Sequence, residues 1–213
     1  MTKLIFSTKD VFKTSNKKNT DVFNQSIITE DKNHEFFISK GYKHFEKQLQ
    51  SLEPDKQYSF VSFGQWSLKH VVFHVLKLIG SADIYSTTYG LGPKSAQGIV
   101  SGLKKGIIKS FNFIYDNKIK HYKVEAHDIC VSNFPVKIAA IHAKVTVLFS
   151  ENYSVTITGS ANWSDSNNKI ESTIISTLPG LAEFHRKWIL NTMQTQSPEP
   201  SKIIQEINQT INS

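Results

Sequence analysis

Residues 141–171 read IHAKVTVLFSENYSVTITGSANWSDSNNKIE, and this stretch decides the fold. Apolar runs on either side of the turn Ser150-Glu-Asn152 predict a β-hairpin, with one long strand over 136–149 and an alternating return over 153–158. His142 and Lys144 are two apart, so on a strand both project to one face and Ala143 to the other. An imidazole and an ammonium within an apolar strand are costly unless an anion or a carboxylate compensates them. The hairpin's exit, Gly159-Ser160-Ala161-Asn162, brings a hydroxyl and an amide to the same end, with Gly159 permitting close approach. Glu171 arrives on a further strand over 170–177, where it could orient His142 by accepting its other ring proton. One nucleophile, one cation and two neutral donors make a pocket for a phosphate.

Upstream the pattern alternates. A strand over 58–63 ends at Gly64, and Ser67 caps a helix to Ile79 whose stripe is Leu68, Val71, Val72, Val75, Leu76 and Ile79, stopped by Gly80. A strand over 82–89, a helix over 94–105 and a strand over 107–115 follow, then a looser connection over 116–135. Such alternation predicts an α/β sheet with helical crossovers. Downstream, Phe184, Trp188 and Ile189 are spaced as on a helix over 182–194, and a short tail helix follows Pro200. Three segments result: a polar N-terminal extension over 1–55, the main domain over 56–196, and a C-terminal tail over 197–213.

The 213 residues include a single cysteine, Cys130, which excludes intrachain disulfides and a cysteine-built zinc site. No stretch approaches the roughly 20 apolar residues of a membrane span, and the apolar run near Met1 is too short for a signal peptide. The expectation is a cytoplasmic protein without a membrane partner. Its net charge is +7, and Arg186 is the only arginine among its 25 basic side chains. Lysine is a point charge rather than a bidentate fork, so this balance favours phosphates of a polyanion and reads little base sequence.

The hairpin stretch closely resembles the phospholipase D superfamily, whose signature is His-x-Lys, an Asp five residues on, then Gly-Ser-x-Asn. His142, Lys144, Gly159, Ser160 and Asn162 match it, Trp163 is an aromatic common after that Asn, and Glu171 fits the acidic position on the next strand. Two departures stand out: Phe149 occupies the Asp position, and the gap from Lys144 to Gly159 is longer than usual. The resemblance implies a mixed β-sheet flanked by helices, one lobe per chain. It also implies a phosphodiesterase that uses no metal or other cofactor. One histidine would attack phosphorus and a second protonate the leaving oxygen, with Lys144, Ser160 and Asn162 stabilising the phosphoryl oxygens. A chain with one motif pairs with its twin, so a homodimer is expected. Single-motif members are typically nucleases of low sequence preference, which makes nucleic acid, DNA foremost, the expected partner. The alternatives are a nucleic-acid-binding pseudoenzyme and a phospholipid phosphodiesterase.

Other residues have plainer readings. His121-Tyr-Lys123 with Asp128 satisfies half of the signature by chance, since no Gly-Ser-x-Asn follows. His70 and His74 are ordinary helix residues. Trp163 packs or lines the substrate groove, Ser86 to Tyr89 end a strand that points at the cleft, and Ser164, Asp165 and Asn168 form a loop beside it.

Overall fold

The computed structural model describes residues 27–28, 33–39, 41–64, 66–164 and 169–211. Residues 1–26 of the polar extension lie outside this set, as do Asp165 and Asn168 of the loop beside the cleft. One mixed sheet organises the described chain, in the order β1-β2-β3-β9-β8-β7-β4-β5-β6. Its strands are β1 (Ile27–Ile28), β2 (His34–Ser39), β3 (Gln57–Phe63), β4 (Ala82–Thr88), β5 (Ile108–Asp116), β6 (Val136–Ala139), β7 (Val145–Phe149), β8 (Ser154–Gly159) and β9 (Ile170–Ser176). The pairs β2/β3, β4/β5 and β5/β6 are parallel and the others antiparallel.

Helices cover both faces. Helix α2 (Leu68–Ile79) forms as its apolar stripe predicts, with Leu68, Val71, Val72, Val75 and Leu76 buried. Ser67 and His70 close a capping box at its start, and Gly80 ends it at φ 82°, a conformation that favours glycine. Helices α1 (Tyr42–Gln48), α2, α3 (Pro93–Lys104), α4 (Asn117–Tyr122) and α5 (Val124–Val131) contribute to one large core with Phe60, Ile84, Phe111 and Phe113. Across the sheet, α6 (Pro179–Gln194) packs Ala182 against Val145 and Val147, while Ile189 and Ile203, the latter from α7 (Pro200–Ile211), meet Ile114 and Ala139. Thus the tail helix docks, and within the segment read as an extension β2 pairs with β3 while Phe37, Phe45, Leu49 and Leu52 join the main core.

Three details differ from the sequence reading. The connection over 116–135 holds α4 and α5. Phe184 faces solvent at 63% exposure, leaving Ala182, Ile189 and Thr192 as the buried positions of α6. Most consequential, the long strand over 136–149 is two strands on different sides of the β4/β5 pair. β6 runs parallel to β5, whereas β7 runs antiparallel to β4. Residues 140–144 must therefore cross the ends of β5 and β4, and no ladder partner is available to them on the way.

Candidate active site at the carboxyl end of the sheet

The crossing segment carries His142 and Lys144, so neither sits inside a strand. Several of its backbone groups pair with the tail and with side chains instead. Ala140 N donates to Pro198 O (3.0 Å) and Ile141 N to Asp116 Oδ2 (3.3 Å). Thr87 Oγ1 donates to Ala143 O (3.0 Å) and accepts from Val145 N (3.2 Å). This fixes a short, exposed loop over the carboxyl ends of the parallel strands β4, β5 and β6, the place where open α/β sheets bind ligands.

His142 is exposed there and Lys144 half-buried. Lys144 Nζ donates to His142 O (2.8 Å) and lies 3.4 Å from His142 Nε2. Burial pushes the Lys144 ammonium below the usual lysine range, and the nearby Glu171 carboxylate and Tyr89 partly offset this. The Tyr89 ring lies 4.8 Å from the His142 ring, centroid to centroid, and 5.6 Å from Lys144 Nζ.

The second half of the motif leaves β8 beside this loop, where Gly159 N reaches Lys144 O at 3.4 Å. A side chain at Gly159 would place its Cβ 2.2 Å from Ser172 O, so only glycine lets β8 run this close to β9. Ser160 N then donates to Ser172 O (2.9 Å), and Ser160 Oγ accepts from Ser172 N (3.0 Å) while donating to Glu171. Glu171 thus holds Ser160, in place of the hydrogen bond to the His142 ring that its position suggested. Asn162 Oδ1 accepts from Gly90 N (3.0 Å) and lies 3.2 Å from Thr88 Oγ1. That fixes the amide and leaves its NH2 as the group Asn162 can offer a ligand.

Trp163 does not line a groove. It is fully buried, packs edge-on against Phe111 and Phe113, and donates from Nε1 to Ser86 Oγ (2.9 Å). Its backbone N–H lies 3.3 Å from Thr88 Oγ1, so this residue anchors the turn that presents Asn162. His121 lies on α4, exposed, while His70 caps α2 and His74 Nε2 binds Leu49 O at 2.6 Å. Among the described residues, no cluster of three or more His, Cys, Asp or Glu could hold a metal ion, and no helix is long and apolar enough to cross a membrane.

Sequence reasoning placed Thr88 at the cleft without reading its role, and it missed two further contributors. Thr88 fixes Asn162, Asp116 ties the His142 loop to α4, and Lys118 Nζ donates to the Tyr89 hydroxyl at 2.6 Å. The signal for the last two was Asp116 itself, a capping residue at the very end of a strand, whose side chain accepts from Lys118 N (3.0 Å).

No protein-family model matches the sequence, and no curated protein matches it either. Similar solved structures include a phospholipase D family member, Nuc from Salmonella typhimurium (22% identity, 64% of this chain and 93% of that one, TM-score 0.47). Another is NucT from Helicobacter pylori (15% identity, 63% and 94%, TM-score 0.45). A third is polyphosphate kinase from Porphyromonas gingivalis (11% identity, 63% and 26%, TM-score 0.45). In this sheet His-x-Lys crosses the strand ends into β7 and Gly-Ser-x-Asn leaves β8, so the two halves of the motif meet at one end of the sheet.

Proposed function

We propose that the chain is a metal-independent phosphodiesterase, a nuclease of low sequence preference that cuts internally in DNA and works as a homodimer. The observation that carries this reading is the exposed His142 ring with the Lys144 ammonium 3.4 Å from its Nε2, beside an Asn162 amide whose oxygen is already held. In the reaction, a His142 ring nitrogen attacks phosphorus, the bond to the leaving oxygen breaks, and the partner subunit's His142 gives that oxygen its proton. Water then attacks the phosphohistidine, the partner subunit's His142 takes the water's proton, and the P–N bond breaks to regenerate His142. Lys144 and the Asn162 NH2 stabilise the negative oxygens of both transition states. Ser160 acts by placing Glu171 beside Lys144. The single motif supports the dimer, because the chemistry uses two histidines and one chain supplies one. A net charge of +7, almost all lysine, suits a phosphate backbone.

The test is incubation of plasmid DNA, single-stranded DNA and RNA in excess EDTA, with wild type and His142→Ala side by side. Cleavage in EDTA that falls by at least about 10³-fold in the variant is the expected result. Cutting that survives the substitution overturns the assignment of His142. Salt-sensitive binding without cutting by either protein would support the pseudoenzyme reading instead.

A further inference from the structure

The Tyr89 ring has a second cation on it. Lys118 comes from α4, outside the motif, and its Nζ lies 2.6 Å from the Tyr89 hydroxyl and 5.2 Å from the ring centroid. Lys144 Nζ is 5.6 Å from the same centroid, and the His142 ring is 4.8 Å away. Nucleophile, motif lysine and Lys118 are therefore grouped around one aromatic side chain. Asp116 fixes their relation, because its carboxylate takes the backbone N–H of Lys118 at the start of α4 and that of Ile141 next to His142. The tyrosine hydroxyl uses one ammonium proton of Lys118 and cancels none of its charge, so the exposed side chain keeps donors for an anion.

We propose that Lys118 binds the phosphate adjacent to the one at His142, so that the site selects a chain of phosphodiesters over an isolated diester. This rests on the phosphodiesterase reading and narrows it: a linear nucleic acid presents successive phosphates along one backbone, whereas a simple phospholipid diester presents one. Tyr89 is a positioning residue in this scheme, holding Lys118 by its hydroxyl and His142 by its ring.

Two measurements test it. In the first, salt-dependent binding of short single-stranded DNA is read by fluorescence anisotropy in a His142→Ala background, with and without Lys118→Ala. Loss of one phosphate contact lowers the slope of log K against log salt by about 0.7. In the second, kcat/KM is measured for an oligonucleotide and for bis(p-nitrophenyl) phosphate. Lys118→Ala is expected to cost the oligonucleotide at least about five times more than it costs the single diester. Tyr89→Phe, which keeps the ring, should give a smaller loss of the same selective kind. An unchanged salt slope, or equal losses on both substrates, overturns the proposal, and so does an oligonucleotide that wild type fails to bind. If wild type hydrolyses neither substrate, the phosphodiesterase reading fails while anisotropy still decides whether Lys118 touches a phosphate.

Discussion

The two ends of β7 are built for different work. At its start, the backbone of the loop that carries Lys144 into Val145 is held by Thr87, and Lys144 lies beside His142. At its other end, about 16 Å along the strand from Lys144, Phe149 packs edge-on to Tyr85 and lies under Arg186, whose Cζ is 5.4 Å from the ring centroid. Phe149 stands where the resembled family carries its motif Asp. Five residues of extended chain separate that position from Lys144, and its neighbour Arg186 belongs to α6. The departure from the motif therefore bears on how α6 seats itself, while the proposed chemistry uses the opposite end.

The contrast is sharpest for Lys144→Ala. Removing the cation should lower kcat/KM on DNA by about 10²–10³ while leaving thermal stability nearly unchanged, since the side chain is half in solvent. Thr88→Val comes next. It leaves Gly90 O and Trp163 N short of a partner and loosens the Asn162 amide, so about tenfold in kcat/KM and about 1–3 kcal/mol of stability should be lost together. Phe149→Ala reverses the pattern: about 1–3 kcal/mol of stability for a half-buried ring with a cation over it, and less than about threefold in activity well below the melting temperature. Steady-state kinetics and thermal melts of the three variants decide the matter. Activity loss in Phe149→Ala comparable to that in Lys144→Ala would break the division between the two ends.

How far the sequence could be read follows the same geography. Helix α2 was legible because an apolar stripe, a capping serine and a stop glycine agree within a dozen residues. The motif residues were legible because their spacing is local. Residues 136–149 misled because an apolar run does not say which neighbour each half will pair with. The break at 140–144 exists only because β4 and β5 stand between β6 and β7. The place of Trp163 after Asn162 did not decide between packing and the groove, because its burial depends on Phe111 and Phe113, some fifty positions away. Lys118 was invisible for another reason: α4 is six residues long, too short for a periodic pattern, and its meeting with Tyr89 is made by tertiary contact.

The smallest expected effect tests the electrostatics of the working end directly. In the proposed mechanism Lys144 stabilises developing negative charge only as an ammonium, and burial makes it hold its proton less tightly than an ordinary lysine does. Activity should then be insensitive to this group at neutral pH and fall as pH rises through its lowered value, giving an alkaline limb that begins below the ordinary lysine range. Lys144→Arg supplies a cation that stays protonated throughout. Its forked, planar head fits a site shaped for a point charge less well, so kcat/KM should drop at every pH while the alkaline limb moves upward or vanishes. A pH–rate profile of Lys144→Arg that keeps the wild-type limb would assign that limb to another group and remove Lys144 as the cation whose protonation the reaction needs. The same profile for Phe149→Ala should overlay wild type, because the phenyl ring carries no proton to exchange and lies about 16 Å along the chain from Lys144.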